Sequence, residues 1–229
     1  MARNAHTLTI FLGGYARGRG KLLSLWSMEL CDKPLVKLVP PAEGRILLHA
    51  CCAPCSSAIL ECMVQNGIKP TVFFSNSNIT PRDEYELRKA EIIRYCESLG
   101  VEWVDDDYDH DDWLALVARG RENAPERGPR CLECFRYRLS RAAAYAAENG
   151  FSVLTTTLAS SRWKSLEQVN EAGAAACARV SSGVGANGNP VVWWDMNWRK
   201  GGLQPRRSEL IRQLGFYNQT FCGCEFSKQ

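Results

Sequence analysis

The chain of 229 residues is 45% apolar and 23% charged, and 28 basic against 25 acidic side chains leave a net charge of +3. This is an ordinary globular composition, able to bury about 70% of its unfolded surface, and it excludes collagen, coiled coil and disorder. The longest apolar runs, residues 46–48 and 191–194, fall far short of the roughly 20 residues that cross a bilayer, so no membrane partner is expected; a charge of +3 does not by itself name nucleic acid as a partner.

Residues 1–44, ending in Pro40-Pro41, carry no sustained periodicity and read as an irregular leader. Gly13, Gly14, Arg17, Arg19 and Lys21 interrupt its first 30 residues, which therefore lack the apolar core of a secretory signal. Four basic residues against one acid there are compatible with an organelle transit peptide. Residues 45–229 read as a single α/β domain. Short apolar runs at 46–50, 70–76, 101–105 and 151–157 alternate with longer helical patterns, as strands covered on both faces should.

Ile59, Leu60, Met63 and Val64 mark a first helix that stops at Gly67. A second has Thr80 as its cap, Pro81 at the first helical position and Asp83 in the first turn, and carries Ile92, Ile93 and Cys96 towards Gly100. A third spans 132–149 with the stripe Phe135, Leu139, Ala142, Ala143 and Ala146, and a fourth spans 166–177. Residues 181–189, rich in Gly, Ser and Asn, read as a loop or insertion, and 191–226 as an aromatic, basic, cysteine-rich tail. The alternation predicts a doubly wound, mostly parallel sheet of Rossmann-like or HUP-like type. Helices cover both faces, and a site is expected at the carboxyl ends of the strands.

Eleven cysteines, an odd number and about 5% of the chain, are too few for a secreted disulfide scaffold and point to a reducing compartment, read as the cytoplasm. Seven lie in three tight groups. Cys51, Cys52 and Cys55 follow the first strand directly; Cys131 and Cys134 are spaced to put both sulfurs on one side of a helix's first turn; Cys222 and Cys224 flank a glycine. Soft thiolates suit zinc, copper(I) or iron–sulfur assemblies. A structural zinc needs four ligands, which seven thiols overfill, whereas a [4Fe-4S] cluster takes three or four and leaves a surplus for a second metal nearby. A thioredoxin-like redox pair stays open as a third reading. Cys62, Cys96 and Cys177 fall in helical patterns and read as small buried hydrophobes; Cys31 lies in the leader. His49 reads as a hydrogen-bonded core histidine or as a ligand, and His6 and His110 as surface residues.

The stretch Leu47-Leu48-His49-Ala50-Cys51-Cys52-Ala53-Pro54-Cys55 resembles the opening motif of the QueH-type, cobalamin-independent epoxyqueuosine reductases. The likeness continues through Phe73-Phe74-Ser75-Asn76-Ser77-Asn78-Ile79, Glu84-Tyr85 and Arg88, then through Pro125-Glu126-Arg127-Gly128-Pro129-Arg130-Cys131-Leu132-Glu133-Cys134-Phe135 with Arg138-Leu139. Thr155-Thr156-Thr157-Leu158, Trp198-Arg199-Lys200-Gly201-Gly202 and Tyr217-Asn218-Gln219-Thr220-Phe221-Cys222-Gly223-Cys224-Glu225-Phe226-Ser227 complete it, over residues 45–227. The resemblance implies an oxidoreductase that reduces epoxyqueuosine to queuosine at the wobble position of tRNA, the last step of queuosine biosynthesis. It implies a [4Fe-4S] cluster beside a mononuclear iron, and no cobalamin. The matching ligands are Cys51, Cys52, Cys131, Cys134, Cys222 and Cys224, while Cys55 fills a position that varies between cysteine and aspartate. The chain departs from the family pattern in its leader, in residues 181–189 and at Ala159-Ser160-Ser161-Arg162, where the family more often shows a Ser-Pro step.

Opening an epoxide to an alkene consumes two electrons and releases the oxygen as water. The expected mechanism takes the single iron as Lewis acid, the cluster as electron relay and a ferredoxin- or flavodoxin-like protein as external donor, with Asp195, Glu84 and Tyr85 as candidate proton donors. A tRNA with a queuosine-type anticodon would be held by phosphate contacts and by stacking on a base turned out of its loop. Residues 119–141 hold seven arginines against three glutamates, with Phe135 and Tyr137; residues 193–212 hold five basic residues against two acids, with three tryptophans. These segments read either as the RNA surface or as solvated faces over core aromatics, and the seven acids of 102–112 are expected to face away from RNA. Two other classes stay open: a zinc-bound RNA-binding module without catalysis, and another α/β tRNA-modifying enzyme, of sulfur transfer or adenylation. The latter expects a Gly-rich phosphate loop where the cysteines stand.

Overall fold

A strand with no solvent face belongs in the middle of a sheet covered on both sides, and β1 (Ile46–Ala50) is buried at every position. In the computed structural model, which describes residues 34–182 and 190–227, it pairs in parallel with β2 (Thr71–Phe74) on one side and β4 (Val153–Thr156) on the other. Leu48 lies opposite Val72 and Thr155. β3 (Trp103–Asp105) adds to β2 and β5 (Val192–Trp193) to β4, giving the parallel order β3-β2-β1-β4-β5. The order steps outward in opposite directions from the middle, so the switch point falls between the carboxyl ends of β1 and β4.

Two helical layers cover the sheet. α1 (Ala53–Gln65), buried from Ala53 through Met63, packs against α2 (Arg82–Leu99) and α6 (Leu203–Leu214), while α4 (Pro129–Glu148) packs against α5 (Leu166–Ser182) and the strands β1 and β4. The expected doubly wound α/β sheet is thus present. No helix among the described residues is long and apolar enough to cross a membrane.

The differences from the sequence reading have local causes. β3 alternates exposed, half-buried and exposed, because it is an edge strand and not a covered one. Pro81 is the cap of α2 rather than its first helical residue, and Asp83 and Glu84 supply the negative charge of the first turn. α4 begins three residues before the expected start at 132, and α5 runs five beyond 177. α3 (His110–Trp113), continued by a π turn at Leu114–Ala118, β5 and α6 were not expected. β5 has two residues, too few for periodicity to register. α6 buries Leu203, Arg206, Leu210 and Leu214, and the charged Arg206 within that face conceals its helical period. Of the leader, residues 34–44 form bends without helix or strand; residues 1–33, with His6 and Cys31, lie outside the described residues, as do 183–189 of the Gly-rich stretch.

Candidate active site

The chain leaves β1 at Ala50 and turns at once into α1, and this turn carries Cys51, Cys52 and Cys55 on the carboxyl edge beside the switch point. The three sulfurs lie within 4.8 Å of one another, and Cys51 Sγ stands 3.7 Å from Cys52 Sγ. The turn is held from the 3₁₀ turn Thr157–Ser160 that follows β4: Cys51 N–H donates to Thr157 Oγ1 at 3.2 Å, and Ser160 Oγ donates to the Cys55 carbonyl at 3.2 Å. Negative charge within the trio settles on Cys51. Hydrogen bonds from Cys52 and Cys55 hold its thiol well below the usual range, whereas burial pushes Cys52 up, and the bond to Cys51 pushes Cys55 up to about 11.

A second group forms between the start of α4 and the C-terminal segment. Pro129 occupies the first turn of α4, and Cys131 and Cys134 sit one turn apart on the same side. Arg127, the one non-glycine residue with positive φ among the described residues at +62°, turns its N–H onto Cys131 Sγ at 3.3 Å. Cys222 and Cys224 are brought in by Arg88, whose guanidinium donates to the carbonyls of Cys222 at 3.1 Å and Phe221 at 3.4 Å, and by Thr80 N–H donating to the Gly223 carbonyl at 3.0 Å. Gly223 has φ +114°, and a Cβ there would meet Ile79 and Arg88, so the residue between the two cysteines must be glycine. Cys134 and Cys224 share a buried cluster with Trp113. Burial raises the thiols of Cys131, Cys134 and Cys224, the last to about 11, and a charge on Cys222 adds to each.

Lys164 links the two groups. Burial alone would lower its pKa, but the charges of Cys222, Cys51 and Cys55 outweigh that and raise it above its ordinary value. Arg138, 2% exposed, adds a buried cation: its guanidinium donates to the Ser75 carbonyl at 3.2 Å and to Asn76 Oδ1. Gln219 Nε2 donates to Cys52 Sγ at 2.6 Å and ties the tail to the trio. His49 is the hydrogen-bonded core histidine of the two readings weighed for it. Its Nε2 donates to the Ser75 carbonyl at 3.1 Å and its Nδ1 accepts from Thr156 Oγ1 at 2.7 Å, and burial followed by the Arg138 charge lowers its pKa to about 3.

The structure does not bring the three expected proton donors together. Tyr85 is a core residue whose hydroxyl donates to Asp105 Oδ1 at 3.0 Å. Glu84 accepts from Arg88 Nε at 2.7 Å and from the Tyr217 hydroxyl at 3.2 Å, so it braces the arginine that holds Cys222. Asp195 is exposed and accepts from Asn170 on α5. His110, expected at the surface, is instead half-buried: Nδ1 bonds the Ser77 carbonyl at 2.8 Å, and Nε2 bonds Glu225 of the tail at 3.0 Å. Cys62, Cys96 and Cys177 are buried hydrophobes, as read from the sequence. Of the basic segments, Arg130, Arg138 and Arg206 are internal, as are Trp194 and Trp198. Sequence reasoning missed Lys164 and Gln219. Their only sequence signal is position, on the segments that follow β4 and precede Cys222.

The buried trio Cys51, Cys52 and Cys55, with cations near it, can accept a metal, since coordination supplies the positive charge that lets the remaining protons leave. The family profile described as "Epoxyqueuosine reductase QueH" matches residues 46–229. Curated proteins with that name are similar to this chain over most of its length. The one from Acinetobacter baylyi is 43% identical over 197 residues, covering 86% of each chain, and the one from Histophilus somni is 44% identical over 195 residues, covering 85% of this chain and 76% of that one. The one from Thermotoga maritima is 29% identical over 187 residues, covering 80% and 90%. With its parallel sheet and the cysteine trio at the switch point, the chain belongs to the QueH family of epoxyqueuosine reductases.

Proposed function

We propose that this chain reduces epoxyqueuosine to queuosine at the wobble position of a tRNA with a queuosine-type anticodon, in the cytoplasm, and that residues 45–229 form its single catalytic domain. The observation that carries the reading is the buried trio Cys51, Cys52 and Cys55 at the carboxyl edge of the sheet, with sulfurs within 4.8 Å of one another and Lys164 within reach of the charges of Cys51, Cys55 and Cys222. The ten described cysteines form no disulfide, which suits a reducing compartment.

The donor set fits soft metals. All seven candidate ligands are thiols, and the buried Trp113 indole N–H, in the cluster of Cys134 and Cys224, favours the thiolate of Cys134 against the burial that raises it. Cys51, Cys52, Cys131, Cys134, Cys222 and Cys224, with Cys55, would hold a [4Fe-4S] cluster and a mononuclear iron. Bound there, these would supply the two electrons of the reduction and Lewis acidity towards the epoxide oxygen. The chain's own residues prepare the place. Lys164 and Arg138 set positive charge against the thiolates, His49 stays neutral behind them, and Arg88 with Glu84 fixes the Cys222 backbone. An outside one-electron donor of ferredoxin or flavodoxin type would complete each turnover.

Anaerobic purification followed by iron, sulfide and zinc analysis tests this. About five irons and four sulfides per chain, with absorption that bleaches under dithionite, are expected, together with conversion of epoxyqueuosine tRNA. A colourless zinc protein without sulfide, even after anaerobic reconstitution, would overturn the reading.

A further inference from the structure

Trp163 stands apart from the buried tryptophans Trp113, Trp194 and Trp198, because its side chain is 70% exposed. It lies on the loop that follows the 3₁₀ turn Thr157–Ser160, at the same carboxyl edge as the thiols. One exposed indole is unremarkable by itself, but this loop is held to an unusual degree. Arg199 donates to the carbonyls of Ala159, Ser161 and Lys164 at 3.1, 2.6 and 2.9 Å. Arg127 donates to those of Arg162 at 2.6 Å and Trp163 at 3.0 Å, and Gln204 to that of Ser160 at 2.7 Å. Every carbonyl from 159 to 164 is therefore engaged by a side chain from another segment, so the backbone that presents the indole is held in place before anything binds.

The platform touches both thiol groups. Its root is fastened to the Cys55 carbonyl by Ser160, and Arg127, which holds its tip, gives its own N–H to Cys131. Its charge is uncompensated. Among the described residues, Arg127, Arg162 and Arg199 have no carboxylate within ion-pair distance, and Arg162 lies over the Trp163 ring at 5.6 Å. Towards β3, by contrast, Asp105 and Asp106 are taken up by Lys89 and Arg141. An open aromatic face bordered by unpaired guanidinium groups matches single-stranded nucleic acid, which offers a base to stack and a phosphodiester to neutralise. A protein partner would call for a contiguous apolar patch, and the neighbours here are charged.

We propose that Trp163 is the stacking platform for an anticodon-loop base next to the reacting nucleoside, with Arg127, Arg162 and Arg199 drawing in the loop's phosphates. The proposal rests on the reading of this chain as a reductase acting on tRNA. Trp163→Ala and Trp163→Phe, with iron content and thermal midpoint as controls of folding, test it through the affinity for an anticodon stem-loop RNA measured by fluorescence anisotropy. The alanine variant should bind about tenfold to a hundredfold more weakly and the phenylalanine variant should keep most of the affinity. Indole emission should also be quenched by the RNA in the unmodified protein and not in Trp163→Ala. Unchanged affinity of the alanine variant, or an equal loss in both variants, would overturn the platform. Failure of the unmodified protein to bind the stem-loop would overturn the tRNA reading beneath it.

Discussion

Glu61 and Arg206, with side chains 2% and 7% exposed, meet through two bonds of 2.7 and 2.6 Å that join α1 to α6. A charge kept that far from water is tolerated only while its partner stays, so loss of one member costs more than loss of both. Arg206→Met should lower unfolding free energy by about 3–5 kcal/mol, and the double change Glu61→Met with Arg206→Met should restore most of it. Urea midpoints of the two variants would check this; a double variant as weak as the single one would show that helix packing, and not the stranded carboxylate, carries the loss. The same residue shows where reading a sequence stops. The cysteines announced themselves by clustering, but a charge count over 119–141 and 193–212 treats arginines alike, and Arg130, Arg138 and Arg206 are buried because acceptors arrive from elsewhere. Arg130 donates to the carbonyls of Arg121 and Glu122, Arg138 to that of Ser75, and Arg206 to Glu61, 145 positions away.

At the scale of elements, what was legible was what repeats. β1, β2 and β4 are short, mostly apolar runs, and α1, α2, α4 and α5 carry stripes at helical spacing, so the doubly wound sheet and the carboxyl-edge location of Cys51, Cys52 and Cys55 could be derived from pattern alone. β5 and the loop carrying Lys164 could not, since their form is set by packing partners. Gly173 shows how β5 is seated. A Cβ on this residue of α5 would come within 2.5 Å of Cε2 and Cη2 of Trp193, so the helix lets the β5 tryptophan lie directly on its backbone. Gly173→Ala gains about 1 kcal/mol of helix propensity but forces a rigid ring away, which costs about 1–3 kcal/mol or more, and the net effect should be destabilising. Thermal unfolding of Gly173→Ala should therefore show a lowered midpoint, whereas a raised midpoint would mean that β5 can shift at little cost.

For the molecule as a whole, a metal held by thiols from residues 51–55, 131–134 and 222–224 would have a second task, that of closing long stretches of the chain. Without a metal, the described segment 217–227 is attached by hydrogen bonds of Gly223 to Thr80, of Phe221 and Cys222 to Arg88, of Tyr217 to Glu84 and Glu91, of Gln219 to Cys52 and of Glu225 to His110, and by packing of Cys224 and Phe226 on Trp113. Each such bond contributes only about 0.5–1.5 kcal/mol, so metal coordination should dominate the closure of this segment. A group that binds the closed form alone stabilises it by mass action, and local opening is the first motion that its removal would release. The metal-loaded protein should accordingly resist chymotrypsin at Tyr217 and Phe221, while chelator-treated protein should be cut there about tenfold faster or more, with the sheet still folded. Mass spectrometry of the early fragments, with far-ultraviolet circular dichroism of the remainder, would measure both halves of that expectation. Equal cleavage rates with and without metal would show that the tail is held by its own hydrogen bonds. Loss of the sheet signal together with the tail would show that the thiol site is part of the folding core, and not a clasp laid over it.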